Sequence, residues 1–235
     1  MPQNIFWSTL CKKAGVHLEI IRKEFFFKAA NGRHDIFGCK WYEKGKTSFK
    51  GIIQIAHGMS EHILRYEDLA IYLVKKGYLV CGNDHTGHGQ SVENQDDFGY
   101  FGDGDENWHF IVEDMHNLME KIKSQYGEAP YCLIGHSMGS FLARAFCVKY
   151  GQQLDGLILI GTSSGHRLID MAINASDEFA KLKGDKSRGG FINKLMIEAF
   201  NVKYFPRHTV YDWLSSDEKN VEGFMNDEKC AFMFT

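Results

Sequence analysis

No stretch of the sequence holds the roughly 20 consecutive apolar residues that a membrane-spanning helix needs. The N-terminal segment, MPQNIFWSTLCKKAGVHLEIIRKEFFF, breaks its apolar residues with polar and charged ones too often for the apolar region of a secretory signal. Neither sign of charge dominates: 27 Lys and Arg stand against 30 Asp and Glu, a formal net charge of -3, and there is no long basic run. Nothing therefore draws the chain generally toward nucleic acid or an anionic membrane. The six cysteines (Cys11, Cys39, Cys81, Cys132, Cys147, Cys230) form no C-x-x-C pair, and several lie in apolar runs. They read as reduced core residues. These absences together lead us to expect a globular, cytoplasmic protein with no stable membrane anchor and no nucleic-acid partner. With 235 residues, 44% of them hydrophobic, the chain can bury one sizeable core and carry an appended lobe.

What is present is organised around residues 131 to 140, YCLIGHSMGS. An apolar run of strand type ends in Gly135-His136-Ser137-Met138-Gly139, and the helix-like SFLARAFCVKY follows at once. This is G-x-S-x-G between a strand and a helix. A serine at so sharp a turn sits in strained backbone, and side chains at the flanking glycine positions would collide with the neighbouring strand and helix. The turn carries the Ser137 hydroxyl clear of the sheet. The helix start aims the backbone N–H of Met138 at negative charge forming beside it. Ser137 is the candidate nucleophile and Met138 a candidate oxyanion donor.

In chain order, EFFFKAA and DIFGCKWYEK flank Asn31-Gly32 and predict an antiparallel pair over residues 24–44. Residues 1–23 show no decisive pattern and leave room for a short amphipathic element. GIIQIA (51–56) predicts a buried strand running into His57-Gly58-Met59. Glycine there lets the N–H of Met59 face a site beside the strand end, the natural second oxyanion donor. His57 and His62 read better as loop-holding residues than as chemical ones. A helix is expected from about Tyr66, with Tyr66, Leu69, Ala70, Leu73 and Val74 on one face and Gly77 as its stop. The strand at Tyr78–Cys81 delivers Asp84, His85 and His88 in a glycine-rich loop. No second cluster adds ligands to them, so a tight structural loop is preferred to a metal site. The acidic, glycine-rich stretch from Asp96 to Asn107 reads as loop. A helix from Trp108 to Tyr126 presents Ile111, Met115, Leu118 and Ile122, and LDGLILIG (154–161) adds another buried strand. This alternation is that of an α/β fold with a parallel sheet covered on both faces. From His166 to Thr235 the chain reads as mostly helical and rich in large apolar residues, with Lys183 to Gly190 as a loop. These side chains either face an apolar substrate as a lid or simply pack the lobe onto the sheet.

Four stretches in order, HGMSEHILRYEDLA (57–70), GNDHTGHGQS (82–91), YCLIGHSMGS (131–140) and YDWLSSDEKNVEGFMND (211–227), resemble the monoacylglycerol lipase and lysophospholipase branch of the α/β-hydrolases, also labelled serine aminopeptidase-like. The resemblance implies an α/β-hydrolase core over residues 1–165 and a helical cap over 166–235. It implies Ser137 as nucleophile, the N–H groups of Met59 and Met138 as oxyanion hole, and acyl transfer from an ester to water without cofactor or metal. The substrate class implied is a monoacylglycerol, lysophospholipid or similar single-chain acyl ester.

In this family the triad acid and histidine follow the cap, after two more strands, and no position of this sequence matches either. Of the histidines after Ser137, neither His166 nor His208 sits in the corresponding kind of loop, and Asp84 belongs to the structural loop. The last strands of the fold are thus expected to be missing, leaving the strand at 157–160 as a bare edge. A truncated product, a fragment and one half of a two-chain enzyme, with a second chain supplying the C-terminal part, all fit. A peptidase or amidase on the same scaffold and a non-catalytic binding module stay open beside the lipase reading.

Overall fold

A computed structural model of the chain describes residues 6–13, 16–102, 107–164, 167–184 and 186–235. The strands are β1 (Phe6–Lys13), β2 (Val16–Lys28), β3 (Asp35–Glu43), β4 (Ile52–Ala56), β5 (Leu79–Asn83), β6 (Tyr131–His136) and β7 (Gly156–Ile160). They form one sheet in the order β1-β2-β3-β5-β4-β6-β7. The half from β5 to β7 is parallel, and β3, β2 and β1 continue it antiparallel. The helices are α1 (Glu67–Lys75), α2 (Asn107–Tyr126), α3 (Met138–Tyr150), α4 (Arg167–Lys183), α5 (Gly190–Asn201) and α6 (Glu218–Met225).

The apolar runs of β4, β5 and β6 are explained by burial on both faces. On one face Ile52, Ala56 and Leu133 pack with Ile111, Met115, Leu118 and Ile122 of α2 and with Leu142, Ala143 and Phe146 of α3. On the other, Ile53, Ile55 and Ile134 meet Ala70 and Val74 of α1. Gln54 is the polar exception within β4. Its side chain accepts the Tyr131 hydroxyl at 2.6 Å and donates to the Met115 carbonyl at 3.0 Å, so its burial leaves no polar group unpaired. β4 and β6 lie side by side in parallel, Ile52 opposite Tyr131 and Ala56 opposite Gly135. Both therefore end at the same rim, where their following loops meet.

Two expectations need correction. The antiparallel region is longer than residues 24–44: β2 begins at Val16, and β1 pairs with it from Phe6 opposite Lys23 to Lys13 opposite Val16. Its mixed polar and apolar sequence hid this, because Arg22 and Glu24 are held in ion pairs with each other and Arg22 with Glu67. Leu69 is 37% exposed rather than part of the buried face of α1. A 3-10 turn over Ile63–Tyr66 precedes the helix, so Tyr66 is not in phase with it, and the buried stripe is Ala70 and Val74. β7 forms the second edge of the sheet, with Ile158 and Ile160 each 47% exposed on the face that α1 covers further along. The stretch 103–106 of the acidic loop lies outside the described residues.

Candidate active site

Ser137 joins β6 to α3 with φ +48° and ψ -118°, a conformation L-residues rarely adopt. Its N–H donates to the Ile160 carbonyl at 2.9 Å, which holds the turn against β7. A Cβ on Gly135 would lie 2.7 Å from Ser140 Cα, and one on Gly139 would lie 2.5 Å from the His57 carbonyl oxygen and closer still to that of Ala56. Only glycine fits either position, because the elbow is wedged directly against the end of β4.

The loop after β4 reaches the same place. A Cβ on Gly58 would stand 3.4 Å from Ser137 Cβ, so the Gly58-Met59 peptide borders the serine. Met138 opens α3, where helical N–H groups have no partner within the helix. Among the described residues, the Met59 N–H has no backbone or side-chain acceptor. Both residues thus lie on the two turns that meet at Ser137.

A buried network not foreseen from the sequence supports this loop. Glu61 Oε1 accepts the Gly58 N–H at 2.6 Å and the Tyr66 hydroxyl at 2.6 Å, and lies 3.1 Å from His136 Nδ1. Burial alone would raise the Glu61 carboxyl, but the hydrogen bonds from His136, Tyr66 and Gly58 and the charge of His136 hold it below its usual value. Burial and the neighbouring carboxylate push the Tyr66 phenol well up. Nothing in the sequence marks these three residues as partners, because Glu61 and His136 lie 75 positions apart.

The histidines of the loops after β4 and β5 hold those loops. His57 is fully buried: Nδ1 bonds the Gly58 carbonyl at 2.8 Å, and Nε2 accepts the His85 N–H at 3.0 Å. Its ring packs against that of His85, with centroids 4.1 Å apart and planes tilted by 40°, and His88 packs beside them. Burial lowers all three, His85 to about 3 and His88 to about 4, so they are neutral at pH 7. Asp84 receives the Ile63 N–H at 2.8 Å and the Gln90 N–H at 2.7 Å, which ties its loop to the turn before α1. Among the described residues one trio, His62, Asp227 and Cys230, places ligand-type atoms within 4.8 Å of one another. It is closed on itself: His62 Nε2 bonds Asp227 Oδ2 directly at 2.8 Å, and Asp227 Oδ1 accepts the Lys229 N–H.

Above Ser137 an apolar cavity is lined by Met59 and His136 from the core and by Met196, Ile197, Phe200, Trp213, Leu214 and Phe224 from the later helices and loops. Among the described residues no histidine or carboxylate hydrogen-bonds the Ser137 hydroxyl. The backbone N–H of His208 is bound to Asp212, and His166 lies outside the described residues.

A family described as serine aminopeptidase, S33, matches residues 47–235. The chain belongs to the serine aminopeptidase S33 family. Within it the sequence is 32% identical over 125 residues to the monoglyceride lipase of Rattus norvegicus, covering 52% of this chain and 38% of that protein. It is 36% identical over 113 residues to a monoglyceride lipase homolog of Monkeypox virus, covering 47% of this chain and 37% of that protein. The chain thus matches less than two fifths of the length of either relative. A thermostable carboxyl esterase from Bacillus coagulans superposes with a TM-score of 0.79 at 29% identity, covering 91% of this chain and 67% of the esterase. The architecture is that of the α/β-hydrolases, and the relatives found bear out the resemblance to the monoacylglycerol lipase branch.

Proposed function

We propose that this S33-family chain carries the nucleophile and oxyanion hole of a serine hydrolase for carboxylic esters of single-chain lipids, monoacylglycerols or lysophospholipids. The observation that carries the reading is the strained Ser137 between Gly135 and Gly139, set beside the Gly58-Met59 peptide at the floor of an apolar cavity. Ser137 Oγ attacks the ester carbonyl carbon, and the carbonyl electron pair moves onto oxygen, where the N–H groups of Met59 and Met138 receive it. The intermediate collapses, the alcohol leaves with a proton, and an acyl-enzyme remains. Water then attacks the acyl carbon and releases the fatty acid and the free serine. The chemistry calls on no cofactor.

Residues 1–165 serve as the catalytic core and 166–235 as a cap whose apolar side chains take the acyl chain. The general base and its acid come from polypeptide beyond the described residues, in the same or a second chain. The open edge of β7, with exposed Ile158 and Ile160, supports a further strand packing there. No helix among the described residues is long and apolar enough to cross a membrane, and five cysteines with described side chains are free, which favours a reducing compartment such as the cytoplasm. One observation favours a second reading, a binding module without turnover: no described histidine reaches Ser137.

The test compares acyl esters of increasing chain length with aminoacyl amides, using the protein with imidazole added as an external base. Ester cleavage that improves with chain length and disappears in Ser137→Ala supports the lipase reading. A preference for amides replaces it with a peptidase, and no Ser137-dependent turnover of either favours the binding module.

A further inference from the structure

Ser60, immediately after Met59, has φ +56°, and Ala231, far along the chain, has φ +57°. The two unusual residues face each other. The Ala231 N–H donates to the Ser60 carbonyl at 3.0 Å, and the Ser60 hydroxyl donates to the Phe232 carbonyl at 2.8 Å across 172 residues of sequence. A serine held in this left-handed region by contacts so remote is over-determined by its surroundings rather than by its own turn.

The segment that grips Ser60 is itself anchored on two sides. Toward the core, the Phe232 ring lies 4.9 Å from Phe98 and 5.2 Å from His88, and the Phe234 ring 5.5 Å from Phe101. Toward the later helices, Arg188 donates to the Met233 carbonyl at 2.8 Å, and Asn193 of α5 donates to the Phe234 carbonyl at 3.2 Å. Gly58, on the other side of Met59, is held within the core twice: its N–H by Glu61, and its carbonyl, which shares a peptide group with the Met59 N–H, by His57 Nδ1. The Met59 peptide is therefore clamped between a fixed core contact and a segment attached to α5.

The geometry points to Ser60 as a positioning residue: through Ala231 and Phe232 it makes the direction of the Met59 N–H depend on the segment bound to α5. Movement of that segment, when an acyl chain enters the cavity or a partner displaces it, swings one oxyanion donor while Met138 stays fixed at the start of α3. The inference rests on the oxyanion role proposed for Met59.

The nine methionines make the idea testable without catalysis. In protein labelled with [15N]methionine, Met59 and Met138 report the two donors, and Met115 and Met119, buried in α2, report the core. The Met59 signal is identified by its loss in Met59→Leu. Ser60→Ala removes the hydroxyl bond, and Phe232→Ala loosens the gripping segment without touching Ser60. Both are expected to shift the Met59 amide signal, leaving Met138, Met115 and Met119 in place. Where Ser137-dependent ester turnover is measurable, kcat falls by about tenfold, less than loss of a whole donor, and KM is unchanged. A Met59 signal that stays put in both variants, or moves only together with Met115 and Met119, overturns the inference. Absence of Ser137-dependent turnover in the unaltered protein counts against the proposed activity alone, because the spectra still decide the coupling.

Discussion

Tyr131→Phe tests whether the buried link between β4 and β6 sets the rim where the two turns meet. The Tyr131 hydroxyl donates to Gln54 Oε1, and both residues are fully buried. Removing the hydroxyl leaves the Gln54 oxygen without a donor and without access to water. Leaving a buried acceptor unpaired costs about 1–3 kcal/mol, whereas an ordinary paired hydrogen bond contributes nearer 1 kcal/mol. We expect about 2 kcal/mol, the middle of the range for an unpaired acceptor, because Gln54 Nε2 stays fixed on the Met115 carbonyl and cannot turn its oxygen elsewhere. With a urea slope of about 2 kcal/mol per molar, the unfolding midpoint falls by about 1 M. Gln54→Met removes the stranded acceptor, so the double variant should be less destabilised than the sum of the single ones. A Tyr131→Phe cost below about 0.5 kcal/mol, or strict additivity in the cycle, would mean that the Gln54 oxygen is not stranded.

Other outcomes follow from the same contacts. Gly139→Ala drives a Cβ into the Ala56 and His57 carbonyls, neither of which can yield without moving β4; we expect a loss above about 3 kcal/mol or insoluble protein, read by expression and thermal melting. Burial holds His85 and His88 below their unfolded value of about 6.5, so the stability they contribute is present above that pH and is lost as pH falls toward about 4 and 3. Asp84 and Asp114 are raised to about 6 and about 7 and act in the opposite sense, losing stability as pH rises from about 4 through those values. His85→Phe isolates one side of this balance. Among the described residues neither ring nitrogen of His85 has a hydrogen-bond partner, so the variant should be near neutral at pH 7 and should lose less stability than the unaltered protein between pH 6.5 and 4; an unchanged acid limb in urea titrations contradicts this.

The elbow was legible because its signal is local: two glycines, a serine, a strand before and a helix after lie within a few residues. The central parallel strand was legible because burial on both faces writes a continuous apolar run, as in GIIQIA; LDGLILIG carries the same apolar run but was misread as buried, because β7 is the edge of the sheet and none of its residues is fully buried. β1 and the first half of β2 were not, since antiparallel edge strands tolerate polar residues and Arg22 is satisfied by a glutamate 45 positions away. Leu69 was misplaced because a 3-10 turn shifts the helical phase without leaving a mark in the apolar spacing. The Glu61-Tyr66-His136 network and the grip of Ala231 and Phe232 on Ser60 depend on contacts between distant segments. Their residues gave no pattern of their own.

We propose Ser137 as a nucleophile whose base is not among the described residues. The most direct test exposes the folded 235-residue protein to a fluorophosphonate and follows covalent adduct formation on Ser137 by mass spectrometry, with Ser137→Ala as control. Lack of a base slows a triad serine by several powers of ten. We predict slow labelling at Ser137 that added imidazole accelerates and that Ser137→Ala abolishes. Fast labelling without added base would contradict the claim, directing attention to His166 or His208, and an adduct on another residue would remove Ser137 from its proposed role.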